Sequence, residues 1–357
     1  MRKLQRFVVP ATVLSIASIA LVGMSGSSQA EPAAESMPLA WKLTDTGVDN
    51  QFRGLSPVDS RIAWAAGAGG VVLRTDDGGG SWQDVSPADA EGLEFRDIEA
   101  FDAKRAVALT IGEGEDSRVF VTEDGGATWH NSFVNEEAEA FYDCMAFFDE
   151  QHGIAMSDPV DGRIRFILTD DGGHSWQILP HEQSPEAVEG EFGFAASGQC
   201  LVAADANNAF QVTGGGAARL LHTPDRGQTW TAYDTPMAAG ESAGIYAADF
   251  RDARHGILVG GDYTTPDSAV DALAYTTRGP AETTLSKRPS GHYRSGVSFL
   301  AGPIAIAVGP TGSDVTLDGG RTWRGFDDGP FDAVECTSGF SCWASGPDGR
   351  IAVLAVG

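Results

Sequence analysis

The stretch TDDGGGSW at residues 75–82 is written again as TEDGGATW at 122–129, TDDGGHSW at 169–176, TPDRGQTW at 223–230 and TLDGGRTW at 316–323. All five fit the pattern Ser/Thr-x-Asp-x-Gly-x-Ser/Thr-Trp. An Asp able to accept from the N–H groups of its own turn, glycines free to take positive φ, and a Trp that opens the next segment with a large apolar side chain describe a β-turn with an anchor. The Asp and Trp of each copy are Asp77 and Trp82, Asp124 and Trp129, Asp171 and Trp176, Asp225 and Trp230, and Asp318 and Trp323.

The spacing of the tryptophans turns the motif into an architecture. Successive intervals are 47, 47, 54 and 93 residues, the last nearly twice the first. One copy is therefore missing near residue 277, where AYTTRGPAETTLSKRP keeps a strand-like run and a Gly-Pro turn but has neither the Asp nor the Trp. A period in the high forties that carries several short β-runs is the size of a four-stranded propeller blade. Between the turns the same order recurs: an inner run opening with an aromatic, as at Phe95, Phe141 and Tyr293, then a small-residue run such as RIAWAAG or HGILVG, then a run leading into the turn. No long helical period occurs after residue 38.

Inner runs near Phe52, Phe95, Phe141, Phe192, Gly244, Tyr293 and Phe331 give seven units. The last is short by one strand, and AWKLTDTG at 40–47 stands outside every unit. The expectation is an all-β, seven-bladed propeller of four-stranded antiparallel blades over 39–357, its ring closed by the N-terminal strand in the last blade so that no sheet edge is left open.

Ahead of it, MRKLQR followed by FVVPATVLSIASIALVGM and a small-residue Ser28-Gln29-Ala30 site has the three parts of a signal peptide over 1–30, with 31–38 a disordered lead; the other reading of the same run is an uncleaved membrane anchor. Export predicts a periplasmic or secreted protein, with no stable membrane insertion after cleavage. The whole chain carries 50 acidic against 24 basic residues, a net charge of −26. That balance repels nucleic acid and excludes it as a partner, while Asp-rich turns account for much of the acidity.

In an exported chain four cysteines invite pairing. Cys336 and Cys342 flank TSGFS, the length of a hairpin turn, and a bridge across it is expected. Cys144 and Cys200 fall on the inner runs of neighbouring units and are either bridged between blades or two buried thiols.

These turns resemble the Asp-box, or bacterial neuraminidase repeat, of sialidases, certain glucanases, sortilin-type receptors and photosystem II assembly factors. A single ring of seven units behind an export signal is most similar to the last group. That resemblance implies an exported, non-catalytic binding or assembly propeller, monomeric and without a cofactor, that holds a protein segment or an anionic ligand at its channel mouth. Sialidases carry an Arg-Ile-Pro segment that is missing here and close a ring of six. A secreted carbohydrate-active enzyme remains the alternative, since two-carboxylate hydrolysis needs only a facing Asp/Glu pair.

The second position of the inner runs lies beside the channel and reads Arg53, Arg96, Tyr142, Gly193, Ile245, Arg294 and Asp332. Three guanidinium groups in one structural slot could clamp a carboxylate, sulfate or phosphate. The candidate mouth is Arg53, Arg96, Tyr142, Asp143, Asp158 and Arg294; the same arginines could equally pair with Asp97, Asp143 and Asp158 to hold the blades in register. His152 and His255 fill the same turn of two units and show no metal-ligand spacing.

Overall fold

The computed structural model describes residues 39–337 and 339–356. The leader expected at 1–30 and the lead at 31–38 lie outside the described residues. From residue 39 onward the chain forms seven four-stranded antiparallel blades around a channel. The inner strands are Phe52–Pro57, Glu94–Ala100, Tyr142–Phe147, Leu201–Ala203, Ala243–Asp252, Gly296–Ala301 and Ala333–Thr337. In the seventh blade the outer strand is Leu39–Leu43, paired with Ile351–Val356 from Leu39 opposite Val356 to Leu43 opposite Ala352. Closure by the two ends of the chain satisfies strand edges that would otherwise be exposed at the junction.

Five of the seven blades carry the repeated turn, and it is built by a fixed set of hydrogen bonds. Thr75 Oγ donates to Asp77 Oδ1 (2.9 Å) and accepts from Gly79 N (3.0 Å), while Asp77 accepts from Ser81 N (2.9 Å) and Ser81 Oγ (2.8 Å). The same lattice recurs around Asp124, Asp171, Asp225 and Asp318. The donors hold these carboxyls below their usual range; Asp77 falls to about 2, chiefly through the Ser81 N–H. Gly79 takes φ +80°, and a Cβ there would lie 2.5 Å from the Thr44 methyl.

The tryptophans staple one blade to the one before. Trp129 meets Trp64 edge to face at 6.2 Å, and Trp230 stacks on Phe166 at 4.4 Å. Second strands such as Ala63–Gly67, with every residue buried, are small because sheets press on both of their faces.

The missing copy is the turn at 276–280. Thr276 keeps its role, its hydroxyl accepting from Arg278 N (3.3 Å) and Gly279 N (3.1 Å), but Arg278 stands where the other turns have Asp. The fourth unit departs from expectation. Glu191–Phe192 pairs with Gly214–Gly215 and joins the fifth blade's sheet, and the inner strand starts only at Leu201. The seven residues by which the 54-residue interval exceeds 47 are consumed here, by a segment around 193–200 that crosses the channel.

Candidate functional site

The mouth of the channel is built by β-bulges. Four inner strands slip register by one residue after their first one to three pairs: between Phe52 and Gly54, Phe95 and Asp97, Tyr142 and Cys144, and Ile245 and Ala247. The extra residue at a bulge is unpaired and re-aimed. Those residues are Arg53, Arg96, Asp143 and Tyr246, and all four line one cavity of about 580 Å³, together with Asp158, Asp332 and the crossing segment.

This register corrects two sequence-based assignments. Tyr142, not Phe141, is the counterpart of Phe52 and Phe95; it is buried behind the mouth, edge to face with Phe133 at 5.4 Å, and burial raises its hydroxyl pKa. Asp143 takes the slot instead. Arg294 likewise sits in the buried position, 2% exposed, with Nε on Asp314 Oδ2 (2.5 Å) and Nη1 on the Tyr293 carbonyl (2.9 Å) and Thr311 Oγ (3.0 Å). Its guanidinium holds the sixth blade together and does not line the mouth. The arginines of the mouth are two, Arg53 and Arg96.

One wall of the cavity is charged. Arg96 Nη2 meets Glu94 at 2.5 Å, and Arg53 Nε lies 3.8 Å from Asp332, which also accepts from Gln51 (2.8 Å). Nε of both arginines has no hydrogen-bond partner, and neither has Asp143 Oδ2. Burial, followed by the charge of Arg53, lowers Arg96 to about 10. Asp143 lies against Asp158, whose Oδ1 accepts from Gly193 N (2.8 Å). Burial raises both: Asp143 well above the usual range, with repulsion from Asp158 added, and Asp158 to about 6. Two carboxyls so placed share a proton near neutrality.

The opposite wall is aromatic. Phe194 stacks on Tyr246 at 4.0 Å, and Tyr246 meets Tyr293 edge to face at 4.8 Å, with Tyr263 half exposed at the rim. Sequence reading passed over Tyr246 and Phe194. A bulge leaves no mark in the strand's composition, so Ile245 was aligned to the slot that its neighbour fills.

The floor is the crossing segment. Ser197 Oγ donates to the Ser295 carbonyl (2.9 Å), and Gln199 Nε2 donates to the carbonyls of Val297 (2.8 Å) and Val334 (2.9 Å), reaching the sixth and seventh blades. Cys200 is bonded to Cys144 of the third blade, with Cα atoms 5.9 Å apart. The second disulfide, Cys336–Cys342, spans its hairpin. Beneath the plug lies a cavity of about 320 Å³ bordered by Asp97, Glu99, Asp249 and Glu335. Burial drives these carboxyls up, Asp97 to about 7, Glu99 to about 8 and Asp249 to about 6.

No family model matches the chain, and no curated protein does. Solved structures supply the likeness. YCF48 bound to D1 peptide superposes with a TM-score of 0.62 at 15% identity, over 94% of this chain and 100% of that one. YCF48 from Cyanidioschyzon merolae gives 0.62 at 16% identity over 88% and 98%, and the WD40 propeller domain of Doa1 gives 0.57 at 10% over 88% and 97%. The shared feature is the fold. YCF48 and this chain share a ring, at an identity too low to carry residues across.

Proposed function

We propose that this protein is an exported, non-catalytic binding and assembly propeller that holds a segment of a partner protein, or an anionic ligand, at its channel mouth. The observation that carries the reading is the mouth itself: two bulge arginines with spare donors face an aromatic wall over a floor closed by the chain's own plug. Such a cavity offers an extended segment an apolar seat and charge-assisted hydrogen bonds together. That a YCF48 propeller has been solved with a D1 peptide bound supports a protein segment as the occupant. The acidic surface and the leader-like first residues support a setting outside the cytoplasm and a soluble monomer.

A carbohydrate-active enzyme would need carboxyls held about 5 Å or more apart across a substrate. Asp143, buried, and Asp158, half-buried, instead touch one another, which favours binding over hydrolysis. Affinity capture with crosslinking tests the proposal, comparing the native protein with an Arg53→Gln/Arg96→Gln variant of equal thermal stability. A partner captured by the native protein and lost by the variant is expected. Capture that survives the substitutions, or turnover of a glycan by the native protein, removes the reading.

A further inference from the structure

The seam between the fifth and sixth blades holds a cavity of about 250 Å³ bordered by Arg251, His255, Thr277, Phe299, Pro303 and Arg321. Its counterpart between the third and fourth blades is a cavity of about 290 Å³. The two can be matched position by position, because Phe147 opposite Gly153 and Phe250 opposite Gly256 fix the same register. Asp149 holds His152 Nδ1 as Asp252 holds His255 Nδ1 (2.9 Å).

Against that common frame the chemistry has reversed. Phe148 of the earlier seam is replaced by Arg251, Gln228 by Arg321, and Asp170 by Thr277. The earlier seam is bordered by two carboxylates, Asp170 and Asp225, and one arginine, Arg226; the later one is bordered by two arginines and no carboxylate. The change coincides with the lost turn, where Arg278 replaces the Asp. In a chain of net charge −26 this seam is a local concentration of cations that would attract an anion.

Both guanidinium groups are pre-oriented by aromatic rings. Arg251 lies over Phe299 with its Cζ 5.8 Å from the centroid, and Arg321 lies over Tyr275 at 5.0 Å with Nη1 on the Asp318 carbonyl (2.5 Å). Of the carboxylates nearby, only Asp252 forms an ion pair with a seam arginine among the described residues, and at long range. Asp252 is shared between His255 and Arg251, whose Nε is 3.8 Å away; Asp318 is held by its own turn; Glu282 pairs with Arg278 at 3.3 Å. The backbone at Arg321 is itself fixed across the seam, its carbonyl accepting from Lys287 N (2.8 Å).

We propose that this seam is an oxyanion site for a phosphate or sulfate monoester. Arg251 and Arg321 hold the oxyanion from two blades, and the organic body lies on Phe299 and Pro303. The site is separate from the channel mouth, and its existence does not depend on what the mouth binds.

Calorimetric titration at constant ionic strength with inorganic phosphate, inorganic sulfate, phenyl phosphate and phenyl sulfate tests it. Saturable one-to-one binding is expected, tighter for the phenyl esters; the preference between the phosphate and sulfate arms names the source. The variant Arg251→Phe/Arg321→Gln installs the residues that the third-to-fourth seam already carries, so it should fold, and it should weaken binding at least about tenfold. Thr277→Asp alone should weaken it in the same direction, while Arg53→Gln should leave it unchanged. Absence of saturable binding to the native protein, equal binding by the double variant, or loss on Arg53→Gln would overturn the assignment.

Discussion

Thr223 shows what a single side chain does in this fold. Its hydroxyl is fully buried, accepts from Gly227 N (2.8 Å) and donates to Asp225 (2.9 Å). Thr223→Val keeps the shape and removes the acceptor, stranding a buried N–H, and should cost about 1–3 kcal/mol in denaturant unfolding at unchanged m-value. At the mouth the decisive pair is Asp143 and Asp158. Above about pH 6 Asp158 ionises while Asp143 keeps its proton, and the charge of the pair offsets Arg96; below it both carboxyls are protonated and the arginines are freer to take an anion. Binding of an acidic peptide at the mouth should therefore strengthen as pH falls through about 6, and Asp158→Asn should flatten that profile. A wild-type profile that is flat over this range would rule out control by the pair.

Among elements, the plug is the one that no repeat specifies. It is held by hydrogen bonds to three carbonyls of the sixth and seventh blades and by one disulfide to the third. The Cys144–Cys200 bond closes a separation of 56 residues, and Cys144→Ser/Cys200→Ser should lower unfolding free energy by about 2–4 kcal/mol. The same variant should also weaken mouth binding, because Phe194 and Gly193 lose their tether; a variant destabilised by that amount with unaltered binding would mean that the floor holds its place without the bond. The plug was visible in the sequence as a surplus, seven residues in one interval, though the surplus by itself does not say where the residues go. The bulges were invisible. Each inserts one residue without changing composition, and a one-residue slip moves a side chain from one face to the other, which is why Asp143 and Tyr246 fill the channel slot to which simple alignment assigns Tyr142 and Ile245.

At the scale of the whole molecule, two sets of carboxyls pull stability in opposite directions. The turn aspartates have pKa values lowered in the folded protein, so their contribution is present above the unfolded value near 3.8 and is lost as pH falls toward about 2. The channel carboxyls are raised: Asp97 from 3.8 to about 7 and Glu99 from 4.5 to about 8, so the folded state binds more protons and stability declines as pH rises through that interval. The melting temperature should peak in mildly acid solution. Asp97→Asn/Glu99→Gln should flatten the decline on the neutral side and leave the acid limb in place, as a series of melts across pH would show.

The sequence by itself determined the number of blades, the turns between third and fourth strands, the closing of the ring by both ends and the unit in which a turn is lost. These follow from a repeat whose Asp, Gly and Trp act locally, within one turn and against one neighbouring blade. Only the tertiary structure decided which residues face the channel, because that depends on register between strands, and which seam carries positive charge, because Arg251 and Arg321 lie 70 positions apart and meet only when two blades are packed side by side.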